Sequence, residues 1–560
     1  MKNTKKLLAM LSALTLSACC LAPVAMNVSA EDTASITIEG ISTAQTHTFE
    51  VYQVFTGELD AEKKFTNLKW GSDVTQYNNE NVKSGDLVDP DTVIALENGD
   101  ARAIADNLIL ATTGFKTMES SNGTATLTGL ADGYYVIKDV TDLSEADDAN
   151  SSWIVQVAGS STVAIKNAKP TVDKQVLDEI ADAEIDSPDG WGESADHAIN
   201  ETFQFKLTAT IPADENLTAY DTYKLVFHDK MSNGVTFDSI ASVDWLYFDK
   251  AKSRLTWGGE LLNNDNYIDY TETATNAKNK AGLDWTLTID NLKSIVTEKS
   301  EVIGSNVFGK EEITVEVIYN AHLNENAVVD KNGKQFGTTD DTNNNSVYLE
   351  YSNNPDNFGE GDKQPTETGK TPKDYVWVFT YGVDNTKYAV EKADGNELAG
   401  AEFSLHNAKK NGEIDNDSKI KVNWNEDRNA YVVAKEDDDS ATTVLESQNG
   451  ENNKGTFNIL GLDAGTYYLV EDNAPAGYNE IEPLKIVISA GHMEEGETVA
   501  LTFSSNKCEG MTNDIVDTRT SQLPSTGGIG TTLFYLGGGC MVAVSGILLI
   551  SKKRMGKREN

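Results

Sequence analysis

Two-residue alternation constrains this chain more than any other feature. Segments such as Thr48-Phe-Glu-Val-Tyr-Gln-Val-Phe55, Thr202-Phe-Gln-Phe-Lys-Leu-Thr-Ala-Thr210 and Ile313-Thr-Val-Glu-Val-Ile-Tyr319 place apolar and polar side chains on opposite faces of an extended backbone. Turn signals such as Asn122-Gly123 and Asp132-Gly133 separate them. The pattern predicts an all-β chain of tandem immunoglobulin-like β-sandwiches, three in an elongated rod. Helical spacing of Val93, Leu96, Ile104, Leu108 and Ile109 predicts one helical insertion over 89–110, interrupted by Gly99.

Both ends read as export signals. Lys2, Lys5 and Lys6, the apolar run Leu7 to Leu21 and the small residues Val28-Ser29-Ala30 form a secretory signal peptide over 1–30. Leu16-Ser17-Ala18-Cys19 leaves open lipidation at Cys19. At the other end, Leu523-Pro524-Ser525-Thr526-Gly527 precedes an apolar run from Ile529 to Ile550, long enough to cross a bilayer as a helix. Lys552, Lys553, Arg554, Lys557 and Arg558 follow and would hold that end on the cytoplasmic side.

Cysteine and charge agree with an outside location. Of four cysteines, Cys19 and Cys20 lie in the leader and Cys540 in the apolar run, so Cys508 has no partner for an internal disulfide. The net charge of −42 is concentrated between two basic ends, which argues against nucleic acid as a partner. Six histidines form no HExxH or close pair, and there is no GxSxG, P-loop or Cys-x-x-Cys, so the residues point to no enzyme, metal or cofactor. The acidic run Asp437-Asp-Asp439 lacks the alternating ligand spacing of a calcium loop and reads as a charged hairpin tip. Composition shifts give modules at 31–168, 169–382 and 383–519, followed by 520–560. The polar stretch 353–373 reads as a long surface loop.

The ordered trio of LPSTG, apolar span and basic tail resembles the cell-wall sorting signal of Gram-positive surface proteins. That resemblance implies a sortase that cuts between Thr526 and Gly527 and joins the Thr526 carbonyl to an amine. The third module resembles the collagen-adhesin B-type (SpaA-like) domain of Gram-positive pilins, through Lys392-x-Asp394 with Leu398-Ala-Gly-Ala401 and through Tyr468-Leu-Val-Glu471-x-x-Ala474-Pro475-x-Gly477-Tyr478. It implies an internal isopeptide bond in which Lys392 is the nucleophile and Glu471 the catalytic acid. Asp517 is the expected partner, and Asn513, on the same face by alternation, is the other candidate. The middle module resembles the fimbrial isopeptide-forming domain. It implies Lys174 as nucleophile, Asp229 as acid and Asn353 as the amide, with Asn354 left open. The first module offers no lysine on its opening strand, so no bond is expected there.

Val163-Ala-Ile-Lys166-Asn167 is similar to the pilin motif whose lysine attacks the sortase acyl-enzyme of the next subunit, with Ala164-Ile165 where that motif carries Tyr-Pro. Lys166 is the expected nucleophile and Lys169 the alternative. Together these resemblances imply the major subunit of a sortase-polymerised fimbrial shaft. Its implied partners are pilus-type and housekeeping sortases, identical subunits, peptidoglycan, and minor pilins or host ligands. A wall-anchored monomeric adhesin and a minor tip or base pilin are the alternatives.

Overall fold

The computed structural model describes residues 34–519, apart from 61–63, 98–103, 105–106, 145, 151, 166–168, 179–189, 215–216, 219, 251, 262–267, 273–280, 304–306, 330–341, 356–367, 492–499, 506–507 and 510–511. The signal peptide, the LPSTG motif, the apolar span and Lys166 therefore lie outside the described residues. The fold is nearly all β, as alternation predicts. Each of its sheets draws strands from only one of the spans 34–164, 171–379 and 381–517. Two compact units result. One runs to Tyr381 and takes in Gly461–Ala464 and Ser489–Leu501; the other holds the rest from Gly382 onward.

In the first span, Ala34–Glu39 lies between Ser160–Ala164, its parallel neighbour, and Thr124–Leu130. This small sheet faces a larger one built on Thr48–Leu59 and Gly133–Asp139, with Ile36, Ile38, Phe49, Val51, Ile137 and Val157 buried between them. Thr48–Leu59 is apolar on both faces. Phe49 and Val51 point into this core, while Tyr52 and Val54 enter a second one beneath the insertion with Trp70, Val74 and Leu108. A bulge between Gln53 and Phe55 turns Phe55 into that second core as well.

The insertion is less helical than its periodicity suggests. The helix spans Pro90–Glu97, with Asp89 as its cap: the Thr92 amide donates to Asp89 Oδ1 at 2.9 Å, and Pro90 occupies the first turn. Leu108–Leu110 is instead a strand paired with Val74–Tyr77. Three β-branched or leucine side chains in a row suit a pleated edge as well as a helix face, which explains the misreading.

The span 171–379 forms a six-stranded and a seven-stranded sheet. Thr171–Leu177 pairs with Thr202–Ile211, which pairs with Ile313–Leu323; the other sheet centres on Leu225–Met231 and Asn344–Tyr351. Trp245, Trp285, Phe205, Phe227 and Tyr319 fill the core. A second helix, Leu292–Ile303, is capped by Asn291, whose Oδ1 accepts the Ser294 amide. Leu292, Ile295 and Val296 bury its apolar stripe, a spacing the strand-rich context hid. The described ends of 353–373 are not a bare surface loop. Asn353 is buried, and Gly369–Lys370 pairs with Glu350 and Tyr351.

In the second unit, Tyr381–Ala389 pairs in parallel with Thr512–Asp517, so the opening and closing strands of this span lie side by side. The facing sheet centres on Glu402–Ala408 and Gly465–Asn473. At the acidic tip expected near 437–439, Asp438 accepts hydrogen bonds from Ser440 and Asn423, which hold its carboxyl down to about 2.

Candidate functional site

Only two lysines are buried outright among the described residues, Lys174 and Lys387, each at 0% exposure. Burying a lysine without a counter-charge is costly, so each marks a built site.

Lys174 sits mid-strand on Thr171–Leu177, and alternation turns it into the core with Val176. Its Nζ donates to Asp229 Oδ2 and, at 3.0 Å, to the Tyr319 hydroxyl. The Phe205 ring lies 5.2 Å from Nζ. Burial pushes the Lys174 ammonium down and the Asp229 carboxyl up, so both favour the uncharged pair. Burial also raises the Tyr319 phenol well above its usual range and keeps it protonated. The side-chain amide brought to this cluster is Asn345, fully buried, whose Nδ2 donates to the Tyr319 oxygen at 2.6 Å.

Asn353 is not there, and this corrects the expectation from sequence. Its side chain donates to the carbonyls of Leu143 (2.9 Å) and Asp148 (3.1 Å). The face was read correctly, since Asn345, Val347, Leu349, Tyr351 and Asn353 share parity. The error is along the strand: eight residues at about 3.3 Å each separate the two asparagines. Asn354 lies beside Asn353, at that same far end. Sequence reasoning missed Asn345 because Asn343-Asn344-Asn345 looks like a turn, although all three are buried.

The second centre also differs from expectation. Lys392 is exposed in the turn after the opening strand and pairs with Asp514 at 2.5 Å. That strand ends at Ala389, and Val390 takes a left-handed φ of 68°, which breaks the alternation carried toward Lys392. Lys387 fills the buried position instead. Its Nζ lies 2.9 Å from Glu471 Oε1 and forms an ion pair and hydrogen bond with Asp517, above the Phe403 ring. Burial raises the Asp517 carboxyl toward its neutral form despite Lys387 beside it. Asn513 is buried on the same face but donates to Asn385 Oδ1 at 2.7 Å. Lys387 is therefore met by Asp517 and Glu471, and Asn513 is engaged elsewhere.

Lys169, the described alternative for the intersubunit nucleophile, is half-buried and paired with Asp147 at 3.1 Å. Asp148, next to Asp147, approaches a buried histidine. His47 Nδ1 lies 2.8 Å from Asp139 Oδ2, and its Nε2 is 3.3 Å from Asp148 Oδ2. Burial alone would lower the imidazole, but the two carboxylates outweigh it and raise its pKa to about 9.

Residues 386–505 match the SpaA prealbumin-like fold domain, and residues 516–555 match the LPXTG cell wall anchor motif. The trypsin-resistant surface T6 protein of Streptococcus pyogenes serotype M6 is 24% identical over 444 residues, spanning 73% of this chain and 72% of its own. Solved structures similar to the chain include the following two. The T6 backbone pilin of that serotype has 17% identity and a TM-score of 0.46, over 88% of this chain and all of its own. The full-length major pilin SpaD of Corynebacterium diphtheriae has 16% identity and a TM-score of 0.41, over 88% and 99%. The two matched models give this chain a SpaA-type prealbumin-like domain and an LPXTG cell wall anchor motif, and over most of its length it is similar to the T6 surface protein.

Proposed function

We propose that this chain is the repeating shaft subunit of a covalent surface fimbria, a structural protein and a substrate of sortase rather than an enzyme acting on other molecules. Pilus-type sortase cleaves between Thr526 and Gly527 and passes the Thr526 carbonyl to Lys166 of the next subunit. The housekeeping sortase joins the finished polymer to peptidoglycan. Minor pilins and host ligands are its further partners.

The observation that carries this reading is Lys387, sealed between Glu471 and Asp517, the last of which falls at the start of the matched anchor region 516–555. With Cys508 the one cysteine between the leader and the sorting signal, the chain gains from a covalent clip between its opening and closing strands. Attack of the Lys387 amine on the Asp517 acid, with Glu471 carrying the proton, forms an amide and releases water. In the first unit, Lys174 attacks Asn345 beside Asp229 and releases ammonia. Burial favours the neutral forms of Lys174 and Asp229, whose strands come from two different sheets, and at Lys387 the pairing of the opening and closing strands supplies proximity.

A denaturing blot of wall extracts, wild type against Lys166→Ala, tests the shaft reading. The expected result is a heat-stable ladder that collapses to monomer in the variant. A ladder that persists moves the nucleophile to Lys169 or elsewhere. Absence of any ladder, with protein still on the wall, makes the chain an anchored monomer.

A further inference from the structure

The two lysine centres differ in one respect that the isopeptide chemistry alone does not explain. At Lys387 the acid and the acceptor both touch the amine directly. At Lys174 a phenol stands between amine and amide. The Tyr319 oxygen accepts from Lys174 Nζ at 3.0 Å and from Asn345 Nδ2 at 2.6 Å, and its own proton goes to Asp229 Oδ2 at 2.9 Å. A phenol has one proton and two acceptor positions, so this hydroxyl is saturated by the nucleophile, the leaving nitrogen and the acid. Phe205, Phe237 and Trp285 pack around its ring at centroid distances of 5.3, 5.7 and 5.2 Å, which fixes the oxygen in place. The Asn345 Oδ1 has no hydrogen-bond donor among the described residues, so the amide is held by its nitrogen alone.

We infer that Tyr319 is a catalytic residue of the Lys174–Asn345 closure, positioning the amide and relaying the proton that lets ammonia leave. The inference rests on the isopeptide reading above. The neutral Lys174 amine adds through Nζ to Asn345 Cγ. Addition turns Nδ2 into an amine nitrogen with a free lone pair; the Tyr319 hydroxyl then turns from Asp229 and gives its proton to Nδ2 while Nζ gives one proton to the Tyr319 oxygen. The Cγ–Nδ2 bond breaks, ammonia departs, and the tyrosine ends as the neutral phenol it began. An amide nitrogen cannot leave without that proton. At Lys387 the acceptor is a carboxylic acid whose leaving oxygen is served by the adjacent Glu471, so no intermediary is required.

The test follows bond closure in the full chain after a pulse of synthesis, by digestion and mass analysis of the linked peptides. In Tyr319→Phe the Lys174–Asn345 link should form slower by on the order of 10²-fold, while the Lys387–Asp517 link forms at the wild-type rate. Equal rates at Lys174 in the variant and the wild type would overturn the role of Tyr319 and leave the isopeptide reading standing. Absence of the Lys174–Asn345 link from the wild type would overturn both. Fluorotyrosine at position 319 keeps the ring packing and hydroxyl but makes the phenol more acidic. It should change the closure rate, and an unchanged rate also overturns the relay.

Discussion

Lys387 and Asp517 meet across neighbouring parallel strands although they are not register partners. Lys387 stands opposite Ile515 and Asp517 opposite Ala389, so the two side chains lean toward each other over a two-residue offset. Both point into the core, and 130 residues of sequence separate them.

Lys387→Ala should abolish the water-loss mass change of the second unit. A closed loop of this length contributes roughly 5 kcal/mol in the chain-entropy model, so the melting temperature of that unit should fall sharply. Lys392→Ala should keep the water loss and the wild-type melting temperature, because its ion pair with Asp514 is exposed. Intact mass and calorimetry on the pair of variants separate the two lysines. Loss of the mass change in Lys392→Ala alone would reverse the assignment.

Glu471→Gln keeps the shape of the side chain and removes its acid. Closure at Lys387 should slow by on the order of 10²-fold. The Ile481 amide, which donates to Glu471 Oε2 at 2.9 Å, can still find an oxygen in Gln. Time-resolved mass analysis after synthesis reads the rate, and wild-type closure would remove Glu471 from the chemistry.

Asn345→Ala and Asn353→Ala should have opposite signatures. The first loses the ammonia-loss link to Lys174. The second keeps the link but frees the carbonyls of Leu143 and Asp148, at a cost of about 1–3 kcal/mol. Hydrogen exchange should then rise at Asn150, whose amide donates to the Asn353 carbonyl. A missing link in Asn353→Ala would restore the residue that sequence alone favours.

His47 makes the first unit sensitive to alkali. Its folded pKa, raised to about 9, exceeds the ordinary 6.5, so its contribution is fully present below about pH 6.5 and is lost as pH rises through 9. The shift corresponds to about 3 kcal/mol. Melting temperature should decline across this window in the wild type, and His47→Gln should flatten the decline. A His47 resonance titrating near 6.5 by NMR would contradict this.

The sheets were legible because alternation is a direct record of which face is buried, and strands such as Thr202–Ile211 follow it closely. Lys174 was legible through the resemblance of its module to the isopeptide-forming domain, because Asp173 and Gln175 beside it hide its inward-facing position from a simple apolar count. Lys387 escaped notice because Asp384-Asn385-Thr386-Lys387 reads as a polar turn, yet Asn385 and Lys387 are core residues. Asn345 was hidden the same way, in a run of three asparagines. A functional centre that buries polar groups violates the binary pattern at the positions where the pattern would be used to find it.

The parallel pairing of Tyr381–Ala389 with Thr512–Asp517 also alters what a peptide-bond cut can do. Once Lys387 and Asp517 are joined, every residue between them belongs to a ring. A protease that nicks the exposed turn at Lys410 or Asn411 would open the ring without releasing a fragment. On a denaturing gel the nicked chain would keep its full mass as a branched molecule, so peptidase damage in this segment would not shed the subunit from whatever it is attached to.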